Sequence, residues 1–285
     1  MATAAPQSLF TNDTTLWHAV VACLLYPHPW VKRVAIRFLG SCLNELEPTS
    51  VGEATSEATS WVRKPGLMFS LTRNTCRLID AKEADLNEEL SICIVKVLSW
   101  LAQGMVCTPS MFYNTKPDSE IDDRDPTRWL LTRLCHLGRP KGGRRRSTVF
   151  KAFAAIASFC GTKVCENQGL VELMLEPLCR SRTEASAMRS GPNASVQESD
   201  ESTLANDVQQ MLEDKCETVY VEALVAVQKR AREKRARRHE EEAMLDATQT
   251  AARKIEKQKR EKKRRKRRVE ENRRKDGRKQ KRRVA

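Results

Sequence analysis

The chain has 285 residues, of which 40% are hydrophobic and 31% are charged, and its net charge at pH 7 is +14. Residues 228–285 hold 27 Lys or Arg against 10 Asp or Glu, a net charge of +17, so residues 1–227 carry −3. This distribution excludes a uniformly basic protein and predicts one globular core followed by a basic segment that cannot form a core of its own.

Cysteine usage predicts free thiols. The ten cysteines form no CxxC pair, and Cys160 and Cys165 are far in sequence from any histidine, which argues against zinc. No signal or transit peptide is recognisable in the first residues. Apolar stretches are interrupted before the roughly 20 residues that a membrane span needs. We expect a soluble intracellular protein in a reducing compartment, with no membrane association.

Apolar residues recur at three- and four-residue spacing and predict a series of amphipathic helices. A proline turn at residues 27–29 separates the first two. Asn87 caps the fourth helix, and Asp125-Pro126 provides an N-cap and a first-turn proline for the fifth. The predicted helices cover residues 16–25, 30–43, 67–79, 90–101, 129–137, 149–159 and 170–178.

These helices pair into hairpins at a period of about fifty residues, and no strand pattern is recognisable. Stacked helix pairs of this period are typical of α-solenoids. We therefore predict an all-α, HEAT-like α-solenoid of about three helical hairpins plus a final half over residues 1–188. A compact helical bundle is the alternative that the spacing leaves open.

Three further segments are predicted after the solenoid. Residues 189–203 are rich in Ser, Gly, Asn and Glu and predict a disordered linker. Residues 204–228 have one apolar face and predict a helix that docks on the solenoid. Residues 229–285 form a basic tail of strong helix formers. The consecutive bases at 262–268 oppose helix by self-repulsion, so we expect a helix that becomes firm when its charge is neutralised.

Acidic residues four positions before basic ones support a helix in the tail, because the two side chains lie on the same face. The predicted pairs are Glu233–Arg237, Glu256–Arg260, Glu261–Arg265, Glu270–Arg274 and Glu271–Lys275. Asp276-Gly277 is expected to end the helix.

The basic tail predicts a nucleic-acid partner, because its excess charge matches a phosphate backbone and would release counterions on binding. No aromatic residue follows Tyr220, so we expect the tail to read backbone and shape, not base sequence. The run at 262–268 also fits a nuclear-import signal. The predicted RNA-binding residues are Lys229, Arg230, Arg232, Lys234, Arg235, Arg237, Arg238, Arg253, Lys254, Lys257, Lys259, Arg260, Lys262, Lys263, Arg264, Arg265, Lys266, Arg267, Arg268, Arg273, Arg274 and Lys275.

Two alternatives for the tail stay open. A solvated single helix without a ligand would normally balance its acids and bases, which this tail does not. Membrane-surface binding needs an apolar face to insert, and the tail has none. A second basic group, between the fifth and sixth helices, resembles a phosphate-holding turn without Walker spacing. It predicts a minor RNA contact, against the alternative of an exposed loop, by Lys141, Arg144, Arg145 and Arg146.

No catalytic or metal-binding constellation is recognisable. Cys135 and His136 are adjacent on a helix and diverge by about 100°, so they cannot form a nucleophile–base pair. The acidic residues from Asp118 to Asp125 lack the spacing and the central glycine of a calcium loop. We predict that the protein is not an enzyme and that it needs no cofactor, no metal and no small-molecule substrate.

Three passages together resemble a known family. They are Tyr26-Pro27-His28-Pro29-Trp30-Val31 with Phe38-Leu39-Gly40, then LANDVQQMLEDKCETVYVEALVAVQ, and then KRAREKRARRHEEEAML with AARKIEKQKREKKRRKRRVEE. Their order is similar to the C-terminal end of the small-subunit processome component twenty family, a very long HEAT solenoid. The resemblance covers nearly all of this chain and about the last tenth of a full-length member, so we expect a fragment, an incomplete gene model or a free-standing shortened homologue.

The resemblance implies a nuclear and nucleolar ribosome-biogenesis factor. Its partners would be pre-ribosomal RNA or small nucleolar RNA, together with other small-subunit processome proteins. The leading hypothesis is a non-catalytic scaffold whose solenoid binds partners and whose tail, residues 229–283, clamps RNA. The alternative is a nuclear transport or chromatin adaptor, whose solenoid binds protein peptides and whose tail serves only for import.

Overall fold

The computed structural model describes residues 14–48, 62–64, 66–80, 86–113, 125–140, 143–188, 196–243 and 254–265. The chain divides into two compact units, Met1–Val227 and Gln228–Ala285. Every regular element among the described residues is helical. The α-helices are α1 (Thr14–Ala22), α2 (Pro29–Asn44), α3 (Leu67–Ile79), α4 (Glu88–Cys107), α5 (Pro126–Gly138), α6 (Arg144–Cys160), α7 (Thr162–Cys165), α8 (Gln168–Met188) and α9 (Val196–Ala243). A further helix covers residues 254–265.

The helices of the first unit stack in two layers. The first members of successive pairs, α1, α3, α5 and α8, contact one another in that order, and α2, α4 and α6 do the same in the second layer. Each pair also packs internally, as α3 does with α4 and α5 with α6. Repeated helix pairs that bury their faces against neighbouring pairs define a solenoid. The prediction of an all-α, solenoid-like fold is confirmed.

Local sequence signals explain where several helices begin. The Asn87 side chain accepts a hydrogen bond from Leu90 N at 2.8 Å, and the Asp125 carboxylate accepts one from Thr127 N at 3.0 Å. Both satisfy amides in the first turn that have no partner within the helix. The proline turn adds a cap that the sequence did not suggest, since His28 Nδ1 accepts from Trp30 N at 3.2 Å.

The apolar faces meet in one continuous core in the first unit. Its largest fully buried side chains include Trp17, Phe112, Phe150 and Phe153. Buried hydroxyl groups in the second layer also pair, with Ser91 Oγ of α4 lying 2.8 Å from Thr148 Oγ1 of α6. The core therefore extends through all three hairpins.

Helix α4 is a long helix with a mostly apolar sequence. Its length and composition satisfy the criteria for a membrane span. From the sequence, every apolar stretch had been predicted to be too short for one. It contacts α2, α3 and α6, and most of it is buried among them. Its apolar character is thus explained by its central position in the solenoid.

The part of α9 up to Val227 belongs to the first unit and packs into its core through one face. The buried apolar residues on this face lie at spacings of three and four: Ala205, Val208, Leu212, Cys216, Tyr220, Ala223 and Val227. Glu217 interrupts the helix with a left-handed backbone (φ 44°, ψ −114°), yet the buried spacing continues beyond it. Residues 196–203 are helical, so that part of the predicted disordered linker is wrong; residues 189–195 lie outside the described residues.

Candidate nucleic-acid interface

The first basic segment of the second unit lies in α9. Seven of its residues are Lys or Arg, and all seven are exposed: Lys229, Arg230, Arg232, Lys234, Arg235, Arg237 and Arg238. Successive helical residues are rotated by about 100°, so these side chains point in all directions around the helix axis. The segment therefore presents positive charge on every side and has no apolar face.

The second basic segment is the helix over residues 254–265, in which every residue is exposed. Eight of its twelve residues are basic: Lys254, Lys257, Lys259, Arg260, Lys262, Lys263, Arg264 and Arg265. They also surround the helix axis. The remaining predicted tail contacts, Arg253, Lys266, Arg267, Arg268, Arg273, Arg274 and Lys275, lie outside the described residues.

Acidic and basic side chains at four-residue spacing form ion pairs within these segments. Arg260 Nη2 contacts Glu256 Oε1 at 2.7 Å, which is one of the pairs that the sequence predicts. Arg237 Nε lies 3.7 Å from Glu241 Oε1, an acid on its C-terminal side. All four side chains are mostly exposed, so each pair stabilises the helix by only a few tenths of a kcal/mol. With so few acids, most of the positive charge is available to a polyanion.

The basic turn before α6 is placed differently from the tail. Arg144 is exposed and donates to the Leu86 carbonyl at 3.4 Å. Arg145 is 30% exposed and forms an ion pair with Asp80 at 3.1 Å. Lys141 lies outside the described residues. Of the described residues in this group, Arg144 is thus the one whose side chain is most accessible to a phosphate.

The prediction that Arg146 contacts RNA is wrong, because the side chain of Arg146 is only 3% exposed. Its Nε donates to the Gly138 carbonyl at 3.0 Å and its Nη2 to the Arg139 carbonyl at 3.1 Å. Its Nη1 forms ion pairs with Glu184 at 3.1 Å and Glu201 at 2.7 Å. All of its donor groups are occupied inside the protein, so Arg146 is a structural residue.

Glu201 is the partner of Arg146 that sequence reasoning missed, because it lies in the stretch interpreted as a linker. Its carboxylate also accepts from Ser181 Oγ of α8 at 3.0 Å. A signal for it exists in the sequence: Glu201 lies four residues before Ala205 and therefore on the same helical face. The apolar stripe of α9, extended backward by one turn, leads to this carboxylate.

Cys135 and His136 do not form a nucleophile–base pair, because each side chain contacts a different partner. The Cys135 thiol donates to Glu176 Oε2 at 3.6 Å, and burial, reinforced by the Glu176 charge, raises its pKa to about 12. His136 is exposed, its Nδ1 lies 2.9 Å from Arg139 Nη1, and desolvation lowers its pKa. The thiol therefore stays protonated at neutral pH. Within the described ranges, no group of three or more His, Cys, Asp or Glu is placed to hold a metal ion.

Comparison with known proteins gives one family. The family model described as small subunit processome component 20 homolog, C-terminal, matches residues 10–271, more than nine-tenths of the chain. The match includes the solenoid, α9 and both basic segments. A search of curated proteins found no match.

Proposed function

The chain belongs to the small subunit processome component 20 family, to whose C-terminal region it corresponds, and from this membership we propose that it is a non-catalytic scaffold for small-subunit ribosomal RNA processing. In this role the solenoid binds other processome proteins, and the tail binds pre-ribosomal or small nucleolar RNA. The protein would act in the nucleolus, with residues 262–268 serving also in nuclear import.

The observation that supports RNA binding most directly is the accessibility of the tail cations. Fifteen Lys or Arg side chains lie in the described parts of the tail, and all are exposed. Helices with cations on every side can contact phosphates from several strands or from both edges of a groove. Because no aromatic residue accompanies them, the interaction would be electrostatic and largely independent of base sequence. Exposed Arg144 provides a minor additional phosphate contact, and Arg146 is not part of the proposal.

The experiment that tests this function compares the full chain with a variant in which the seven cations at 229–238 are replaced by Gln. A second variant replaces the eight cations at 254–265 in the same way. RNA affinity is measured by fluorescence anisotropy on a fragment of small-subunit precursor RNA between 50 and 200 mM salt. For six or more phosphate contacts, affinity should fall about 1,000-fold or more over this range. Each variant should show weaker binding and a shallower salt dependence.

Ultraviolet crosslinking in cells separates this function from the adaptor alternative. The wild-type chain should crosslink to small-subunit precursor RNA, and the combined Gln variant, supplied with a foreign nuclear-import signal, should lose those crosslinks. If the import signal alone restores function and crosslinks never occur in the tail, the adaptor alternative is favoured. RNA affinity equal to wild type in both Gln variants would overturn the assignment of the tail.

A further inference from the structure

The proline turn between α1 and α2 carries three exposed ring side chains. They belong to Tyr26, His28 and Trp30, and they alternate with two prolines in the sequence. Tyr26 is 52% exposed, Trp30 is 59% exposed, and His28 between them is exposed as well. Trp and Tyr are largely buried on average in folded proteins. Three accessible rings within five residues therefore mark this turn as a candidate binding surface.

Backbone contacts hold the turn in a defined conformation. Tyr26 N donates to the Cys23 carbonyl at 3.1 Å, and Trp30 N donates to His28 Nδ1 at 3.2 Å. The backbones of Tyr26 and His28 are extended, with ψ of 142° and 125°. The two prolines fix φ at their own positions. The rings are thus presented by a preorganised segment, and a ligand that binds them has little backbone to order.

The charge near the turn favours an anionic ligand. The hairpin of α1 and α2 contains three cations, Lys32, Arg33 and Arg37, and no Asp or Glu. Glu89 of α4 forms ion pairs with both arginines and neutralises one of the three positive charges. Glu45, the first acid after the turn, follows the last residue of α2, which places it about 24 Å along the helix axis from the turn. The end of the hairpin that carries the rings is therefore positively charged.

We propose that this turn binds single-stranded RNA by stacking unpaired bases on the rings of Tyr26, His28 and Trp30. Tyr, Trp and His rings are the side chains on which unpaired RNA bases stack, and the cations of α2 favour the phosphates that join those bases. Stacking tolerates every base, because every base has a π face. This inference rests on the proposed RNA-binding function and deepens it. The tail has no aromatic residue, so the turn supplies base contacts that the tail cannot make.

The turn favours unpaired RNA over duplex RNA and over a protein. Bases in a duplex are stacked on one another, and their faces are out of reach of protein rings. The exposed side chains of Leu25 and Val34 lie near the rings in sequence, and a protein partner would bury them together with the rings. Net positive charge without an acid at this end of the hairpin favours the polyanion.

Two matched RNAs test the inference on the full chain. The first is a twenty-nucleotide single strand of uridines, and the second keeps all of its phosphates but has abasic sugars at the central positions. Affinities are measured by fluorescence anisotropy at about 200 mM salt, where electrostatic binding by the tail is weakened. The wild-type chain should bind the uridine RNA at least about fivefold more tightly than the abasic RNA. This ratio is the base preference.

Substitutions of exposed rings provide matched controls. Trp30→Ala and Tyr26→Ala should each lower the base preference at least about threefold, whereas Trp30→Phe keeps a ring and should retain most of it. Phe159→Ala removes a ring of α6 that is 63% exposed and lies outside the turn, so it should leave the base preference unchanged. All of these side chains are largely exposed, so Tm should stay close to that of wild type in every variant.

A photoreactive base locates the contact. The uridine RNA is prepared with 5-iodouridine at its centre, irradiated with the full chain and analysed by mass spectrometry. Crosslinks to residues 26–30 are expected in addition to any in the tail. They should disappear from the turn when the iodinated base is placed in a duplex.

Equal affinity of wild type for the two RNAs, or crosslinks confined to residues 228–285, would overturn the inference. An undiminished base preference in both Tyr26→Ala and Trp30→Ala would assign the exposed rings to a protein partner instead. A concentration-dependent dimer that Trp30→Ala dissociates would assign them to a second copy of the chain. Failure of the proposed function is recognised separately: the Gln variants of the tail should bind both RNAs more weakly at an unchanged base preference, and undiminished affinity in those variants concerns the tail alone.

Discussion

The guanidinium of Arg146 and the carboxylate of Glu201 lie 2.7 Å apart although 55 residues separate them in sequence. Both side chains are mostly buried, at 3% and 11% exposure. The contact joins the first turn of α6 to the beginning of α9. It therefore holds the helix that leads toward the basic tail against the solenoid.

Arg146→Met should destabilise the protein strongly. The substitution leaves Glu201 without its cation in a desolvated site, whereas Glu184 keeps its ion pair with Arg180 at 3.0 Å. Removing one partner of such a buried pair typically costs about 3–5 kcal/mol. The free energy of unfolding, measured by urea denaturation, reports the effect. Arg145→Met is the matched control: its ion pair with Asp80 is more exposed, so a loss of about 1 kcal/mol or less is expected. Equal losses in the two variants would contradict this role of Arg146.

Two glycines in the second layer should respond oppositely to alanine. A Cβ at Gly104 would lie 2.7 Å from Phe112 Cζ, in a ring that is fully buried, so Gly104→Ala should lower stability by about 1 kcal/mol or more through overpacking. A Cβ at Gly40 would lie 3.6 Å from Val97 Cγ2, an ordinary contact. Gly40→Ala should therefore raise stability by up to about 1 kcal/mol through helix propensity. Thermal unfolding of both variants provides the comparison, and a stabilised Gly104→Ala protein would show that Phe112 can move.

Cysteine alkylation should separate one accessible thiol from buried ones. Cys107 is exposed, whereas burial raises the pKa of Cys42, Cys76, Cys135 and Cys160 to about 12. At pH 8 these four thiols carry almost no thiolate, which is the reactive form. Iodoacetamide should modify Cys107 within minutes and leave the four unmodified until urea is added. Peptide mass spectrometry identifies the sites, and rapid modification of Cys135 in the folded protein would contradict its described environment.

Mild acid should lower stability through His136. Desolvation and the adjacent Arg139 lower the pKa of His136 in the folded state, so the unfolded state binds the proton more readily. The contribution of His136 to stability is therefore fully present above the unfolded pKa of about 6.5 and decreases as pH falls below it. The Tm difference between pH 7.5 and pH 5.5 should be smaller in His136→Asn than in wild type. An identical pH dependence in both proteins would remove His136 as a cause.

Helix positions were largely predictable because their determinants are local. Asn87 and Asp125 cap the helices that the sequence assigned to them, and the apolar spacing of α9 is the spacing that becomes buried. The left-handed backbone at Glu217 was not predictable, because a non-glycine residue adopts that conformation only when its surroundings require it. The short helix α7 after Gly161 was not predicted either, because four residues are too few to show a periodic apolar pattern.

The candidate sites differ in how well they could be predicted from sequence alone. Tail cations are recognisable from composition, because a segment without apolar residues has nowhere to bury them. The burial of Arg146 could not be predicted from composition, because its carboxylate partners lie 38 and 55 residues away in sequence. A basic residue in a turn also has the same local sequence whether its side chain is exposed or paired.

The cations of the helix over residues 254–265 point in every direction around its axis. Rotation of this helix about its long axis consequently leaves the number of charges facing any neighbouring surface nearly unchanged. Its electrostatic properties depend on how many cations it carries per turn and very little on their order. Evolution can therefore permute these residues freely at constant charge density, so sequence identity in this segment can be lost while its physical behaviour is kept.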